Sequence, residues 1–426
     1  MNGPILTGLV LSSPGIHPAD WQDMDERLVG VEVSNESYLT LGQASMMKNV
    51  GRLPLVISRG EGSRVWDADG KEYIDFLMGI SVNNFGHCNP EITVALTEQA
   101  QKILHVSNYF YLEEQIRLAA ELARLSGYPQ VFFANSGAEA NEAALKLARK
   151  YGKVKLGGKY QIVAAKGSFH GRTFGALSAT GQPKYQESFQ PIVPGFVYAE
   201  FNNLESWKAA LTDQTCAVLL ELVQGEGGVV PATSDFIKGL HEICRKNNLL
   251  FIVDEVQTGL GRTGKFFAFE HYGIRPDAIT IAKSLGGGIP CGALLVNEAA
   301  NVLTPGDHST TIGGGGMAFA AGLATMKLLQ QADLMANVVR KGQYIKDAWE
   351  QWRKTIPVIE GYRGLGMMLA LELKTSSKQV MLACLEAGLI INAVSETALR
   401  ILPALNIGED DLDQGLTIMK KVLQQF

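Results

Sequence analysis

Short apolar runs rich in branched residues punctuate the middle of this chain, and segments with one apolar face at helical spacing lie between several of them. Val131–Ala134, Gln161–Ala165, Phe196–Ala199, Ala217–Leu220, Leu249–Val253, Ala278–Ala282 and Ala293–Val296 each read as a buried strand. Ser234 to Asn247 is one of the intervening helical patterns. Alternation of strands and helices from about residue 77 to residue 310 predicts an α/β fold with a mostly parallel sheet covered on both faces. Upstream, Gly62 to Phe76 alternates apolar and polar residues about Asp69-Gly70, a hairpin signature. Beyond Gly316 the pattern is helical to about Trp349, and shorter strand and helix signals follow, as in a smaller α/β domain. Residues 1 to about 50 are weakly patterned and read as an arm that packs on a larger body, with a second subunit as one candidate.

Two of the apolar runs end in ionisable residues. LLFIVDEVQTG puts Asp254 at the end of one, and ITIAKSLGGG puts Lys283 at the end of another. The C-terminal ends of parallel strands are where open α/β sheets build their sites. An acid and a lysine so placed are what a pyridoxal phosphate enzyme needs: the lysine for a Schiff base, the carboxylate to keep the pyridinium nitrogen protonated. Strand-end charges facing solvent are the competing reading of the pair taken alone.

With 426 residues the chain is long enough for two domains, and 46% hydrophobic with 19% charged residues is ordinary for a globular enzyme. The net charge of -5 is spread without blocks of one sign, which argues against a dedicated nucleic-acid surface. Five scattered cysteines form no CxxC pair, so no metal site and no disulfide framework is expected, and a reducing compartment fits. MNGPILTGLVLSS has no Lys or Arg before Arg27, unlike a secretory or transit leader, and no apolar run approaches the ~20 residues that cross a bilayer. A cytoplasmic location is therefore expected.

FFANSGAEANEAALKLARK joins a strand to a helix through Asn135-Ser136-Gly137-Ala138. Ser136 is a natural N-cap, Gly137 admits a close approach to the backbone, and the helix start favours a phosphate; a well-capped helix and nothing more is the alternative. Ala140, Ala144, Leu147 and Ala148 form the apolar face, and Glu142 with Lys146 is spaced as an ion pair. GLGRTGK (Gly259 to Lys265) imitates a nucleotide loop, but Phe266 stands where a Ser or Thr should follow the lysine. Four residues also separate its first glycine from the strand, and KFFAF is a poor helix start.

SGAEANEAA, FHGRT, QGEGG, DEVQTGLGRTG, AKSLGGGIPCGA and STTIGG occur in that order, and together they resemble the class III, ornithine-type aminotransferases of pyridoxal phosphate fold type I. The resemblance runs from about Gly60 to the C-terminus and is greatest to the acetylornithine branch. It implies a seven-stranded, mostly parallel sheet in a large domain (77–315), a small C-terminal domain (316–426), and an N-terminal arm and hairpin (1–76) packing with the small one. It implies Lys283 as the Schiff-base lysine and proton carrier, and Asp254 at the pyridinium nitrogen. Val256 and Phe169 would lie on the two ring faces, with Gln257 at O3′. Ser136, Gly137 and Ala138 would hold the phosphate with Thr311 of the partner subunit, which makes a homodimer with shared sites. Arg172 would bind a substrate carboxylate, Arg400 the α-carboxylate of glutamate or 2-oxoglutarate, and Glu226 would mask Arg400 while an ω-amine is bound. His170 has no partner in the sequence and reads as structural.

Three departures from the family pattern stand out. Val50 replaces a tyrosine, Leu222 a proline, and Gly315-Gly316 an Asn-Pro pair, which is expected to loosen the loop. The expected reaction is ping-pong transamination from an ω-amino donor to 2-oxoglutarate. N-acetylornithine leads the donors, ahead of ornithine, succinylornithine and 4-aminobutyrate. A mutase, racemase or decarboxylase of the same fold needs no second amino acceptor, so Arg400 and Glu226 favour transamination; an aminotransferase of a specialised pathway with another donor is the remaining alternative. A non-catalytic relative would be expected to have lost Lys283 or Asp254.

Overall fold

The seven expected strands all form and join one sheet. In the computed structural model, which describes residues 34–426, they are β1 (Gln130–Ala134), β2 (Gln161–Ala165), β3 (Phe196–Ala199), β4 (Thr215–Glu221), β5 (Leu250–Asp254), β6 (Ala278–Ile281) and β7 (Gly292–Val296). Their order is β1-β7-β6-β5-β4-β2-β3, and only β7 runs antiparallel to its neighbours. Every residue of β4 and β5 is buried, as expected of parallel strands covered on both faces.

The long helix α1 (Gly137–Lys155) lies against this sheet. Ala144, Leu147 and Ala148 meet Leu219, Ile252 and Leu294 in one apolar cluster, which confirms the face expected for α1. Burying each of the larger aliphatic side chains contributes roughly 1.5–3 kcal/mol. Glu142 does not pair with Lys146: it accepts hydrogen bonds from Thr173 Oγ1 and Ala176 N, while Lys146 Nζ lies 3.0 Å from His308 Nδ1. A neighbouring segment with free amides offers the carboxylate more than an exposed helical pair does.

C-terminal to the sheet come the helices α2 (Gly315–Leu329) and α3 (Leu334–Arg353). An antiparallel sheet follows, with β8 (Ile359–Leu365), β9 (Met368–Leu373), β10 (Asn392–Ala393) and β11 (Ala398–Ile401) in the order β8-β9-β11-β10. Arg400 sits on β11 between Ala370 of β9 and Asn392 of β10.

Chain contacts divide the described residues into two compact units, 34–60 with 65–72, and 61–64 with 73–426; both sheets above belong to the second. In the first, Ser34 and Ser37 make a capping box on a helix over Asn35–Ser45, and Arg59 stacks 3.7 Å above Trp66. The Asp69-Gly70 turn forms as expected, with Asp67 N donating to Lys71 O at 3.0 Å. Of the weakly patterned N-terminal arm, residues 1–33 lie outside the described residues.

The glycine run takes up a backbone that suits glycine. Gly313, Gly314 and Gly315 all take left-handed backbone (φ 56°, 94° and 75°) at the start of α2, where other residues are strained. Gly316 N donates to Leu104 O at 3.1 Å, a bond that a proline could not make.

Candidate active site

Asp254 and Lys283 leave neighbouring parallel strands at the same edge of the sheet. Asp254 faces Thr280 in the β5–β6 register, and Lys283 follows β6 by two residues. Lys283 holds a left-handed backbone, φ 50°, in which a non-glycine residue is strained, a feature that clusters at functional sites. Burial first, and the Arg400 guanidinium second, lower its ammonium to about 8, against the pull of Asp254, Glu226 and Glu221.

A cavity of about 670 Å³ opens at this edge and is lined by Lys283, Asp254, Val256, Gln257 and Phe169. Ser136, Gly137 and Ala138 reach the same cavity from the start of α1, and Arg172 and Glu226 border it. Ser136 caps α1, its Oγ accepting from Glu139 N at 3.1 Å. The close approach at Gly137 is made by a side chain: a Cβ there would stand 2.8 Å from Val256 Cγ1. Thus Val256 and the helix start are packed as one surface.

The carboxylate of Asp254 is buried and tightly held. Its Oδ2 accepts from Asn141 Nδ2 and lies 2.8 Å from His170 Nδ1, and its Oδ1 accepts from Val256 N. Asn141 Oδ1 in turn accepts from Thr280 Oγ1 at 2.8 Å, tying α1, β5 and β6 together. His170 is therefore not a residue without a partner: the fold supplies Asp254, 84 positions away in the chain. Asn141 was missed as well, although a lone amide beside the apolar face of α1 was a signal. Glu221 was the third omission. It stands beside Asp254 in register on β4, and its two oxygens accept from Phe169 N and Gly225 N, both at 2.9 Å. Burial, with Asp254 adding to it, raises its carboxyl to about 7, opposed by His170 and those two amides.

Arg400 is buried behind the cavity. Its Nη1 donates to Glu226 Oε1 at 2.6 Å and Gln257 Oε1 at 3.4 Å, its Nη2 donates to Asn392 Oδ1 at 2.8 Å, and its buried Nε has no partner among the described residues. Arg172 is exposed at the cavity rim and stacks 3.9 Å above the Tyr185 ring. Thr311 is exposed and does not line this cavity, and Val50 lies exposed in the other compact unit. An amine, a fixed carboxylate, a capped helix start and an aromatic wall around one cavity are a donor set that fits pyridoxal phosphate.

The aminotransferase class-III family model matches residues 45–423. The chain is 46% identical over 390 residues to the acetylornithine aminotransferase of Caldanaerobacter subterraneus subsp. tengcongensis, covering 91% of this chain and 99% of that one. Among solved structures it resembles an ornithine aminotransferase of Toxoplasma gondii, crystallised with oxidised glutathione and described as having PLP at partial occupancy in its active site. That likeness has a TM-score of 0.90 at 30% identity and covers 96% of this chain and 98% of that one. It also resembles the N-acetylornithine aminotransferase of Stenotrophomonas maltophilia, with a TM-score of 0.79 at 33% identity, covering 91% and 99%.

Proposed function

This chain belongs to the class III aminotransferases, and from that premise we propose that it transfers the ω-amino group of N-acetylornithine to 2-oxoglutarate, with ornithine, succinylornithine and 4-aminobutyrate as lesser donors. Pyridoxal phosphate, when bound, supplies an electron sink for the pair left when the amine-bearing carbon loses its proton. Ser136, Gly137 and Ala138 would hold its phosphate, Asp254 its ring nitrogen and Gln257 its phenolic oxygen, with Phe169 and Val256 as the walls on either side.

Lys283 would anchor the group and would move the proton at the reacting carbon. Its value of about 8 leaves a usable fraction of neutral amine near neutral pH. Asp254 stays oriented by Asn141 and His170, and so would present its carboxylate to the ring nitrogen in one fixed direction. Arg172 offers a planar fork to the donor carboxylate at the rim.

The observation that carries the choice of reaction is the 2.6 Å contact between Arg400 and Glu226. With Glu226 seated, the carboxylate-binding arginine is neutralised and the pocket accepts a donor that enters by its ω-amine. With Glu226 displaced, Arg400 takes the α-carboxylate of 2-oxoglutarate or glutamate. One pocket thus serves two unlike substrates in alternation, as ping-pong transfer requires.

A homodimer with shared sites is part of the same reading. It is supported by the uncovered run Tyr109, Phe110 and Tyr111, whose neighbour Asn108 bonds Thr310 O next to the exposed Thr311. The division into a large domain over 77–315 and a small one over 316–426 belongs to this proposal too. No helix among the described residues is long and apolar enough to cross a membrane, and all five cysteines are unpaired, which supports a cytoplasmic location. The test is glutamate formation from 2-oxoglutarate with each amine in turn. N-acetylornithine should give the highest kcat/KM, and absence of glutamate with every amine would overturn the proposal.

A further inference from the structure

The Gly259–Lys265 segment has the glycines of a phosphate loop, yet they serve packing here. Gly261 has φ 88°, and a Cβ on it would stand 3.0 Å from both Leu329 of α2 and Leu405. At the centre of the segment Arg262 is wholly buried, and no ion pair holds it among the described residues. Burial lowers it only to about 9, so it stays charged at neutral pH.

That isolated charge is distributed over three chain segments. Nε donates to Ser81 Oγ at 2.8 Å, Nη1 donates to Met367 O at 3.1 Å and Pro403 O at 2.6 Å, and Nη2 donates to Asn84 Oδ1. Ser81 ends a run of four left-handed residues, Met78 to Ser81, of which Gly79 and Ile80 line the cavity. Pro403 stands three residues beyond Arg400, where the chain leaves β11. Backbone bonds join the same two segments: Leu402 N donates to Phe76 O, and Leu405 N to Asn84 O.

We propose that Arg262 is a positioning residue that holds the Met78–Ser81 wall and the exit of the Arg400 strand in one frame, and so sets the affinity of the cavity for its carboxylate substrate. This rests on the reading of Arg400 as the carboxylate site. Ser81 N donating to Leu77 O and Val82 N to Met78 O close this left-handed turn on itself, and the guanidinium ties its end to the rest of the fold. Lysine, a point charge without the planar fork, cannot reach all three segments at once.

The test uses cofactor-loaded protein and two variants, Arg262→Lys and Ser81→Ala. Glutarate, a dicarboxylate that cannot react, is titrated calorimetrically, and kcat and the KM for 2-oxoglutarate are measured with N-acetylornithine as the donor. Arg262→Lys should weaken glutarate binding about tenfold or more and raise the KM for 2-oxoglutarate, with kcat within about threefold. Ser81→Ala keeps the charge and removes one acceptor, and should weaken glutarate binding about threefold. A purely structural role would lower the unfolding temperature and leave both affinities at the level of the unaltered protein, which would overturn the proposal. Should Arg262→Lys fail to fold, Ser81→Ala decides. Failure of the unaltered protein to bind glutarate would refute the acceptor reading instead, and the KM for 2-oxoglutarate would then decide the role of Arg262.

Discussion

His170 Nδ1 stands 2.8 Å from Asp254 Oδ2, and both side chains are shut off from solvent. Asn141 shares that oxygen, so the carboxylate is oriented from both α1 and the loop after β2. Removing one partner from a buried carboxylate costs about 1–3 kcal/mol, which corresponds to roughly 5- to 150-fold in rate if it acts in the transition state. His170→Ala should therefore lower kcat by that factor with little change in donor KM. Unchanged kcat in steady-state assays would show that Asn141 and Val256 N orient Asp254 without His170.

Lys283 should leave a signature on stability when the cofactor is absent. Its folded value of about 8 lies below the ordinary 10.5, so between those pH values the unfolded chain holds a proton that the folded protein has released. The contribution of this group to stability then rises with pH across that window, and its penalty is complete below it. Lys283→Met should be more stable than the unaltered apoprotein near neutral pH, and the gap should narrow as pH rises. Urea midpoints compared at both ends of the window measure it; a constant gap would contradict the shift.

Much of this site was legible from the chain because its chemistry stands where apolar runs stop. Asp254 and Lys283 each end such a run, and Ser136 opens a helix with a clean apolar face, so local pattern put them at element ends and the ordered motifs around them favoured a cofactor site over solvent-facing charges. Residues that act through a neighbouring strand were not legible. Glu221 matters because β4 pairs with β5 in one register, and His170 because its loop crosses the end of β5. Arg262 looked like part of a failed nucleotide motif, since its partners lie 105 to 181 positions away. The Glu142–Lys146 spacing was helical, but a tertiary acceptor role outcompeted an exposed pair.

Val256 and Gly137 make a tight contact whose disruption has a defined reading. Gly137→Ala would place a methyl group 2.8 Å from Val256 Cγ1 and 3.1 Å from Cγ2. Overpacking of this kind costs about 1–3 kcal/mol. Because the strain falls between the phosphate seat and the ring-facing side chain, affinity for pyridoxal phosphate should drop by about tenfold or more. Fluorescence titration of the apoprotein checks this, and unchanged affinity would remove Gly137 from the cofactor seat.

Glu226 is the partner whose removal should change preference rather than rate alone. Glu226→Ala leaves Arg400 with Asn392 and the weak 3.4 Å contact to Gln257. The ratio of kcat/KM for glutamate to that for N-acetylornithine should rise by about tenfold, since one unmasked charge contact is worth at least about 1.4 kcal/mol. An unchanged ratio from the two half-reactions would reject the gate.

Lys283 and Asp254 should act as one cofactor site that accepts an ω-amine and then 2-oxoglutarate. A single-turnover absorbance record of the cofactor-loaded protein tests it most directly. N-acetylornithine alone should bleach the visible cofactor band, 2-oxoglutarate added afterwards should restore it, and Lys283→Ala should do neither. A band that ignores both substrates in the unaltered protein, or one that cycles normally in Lys283→Ala, would contradict the account.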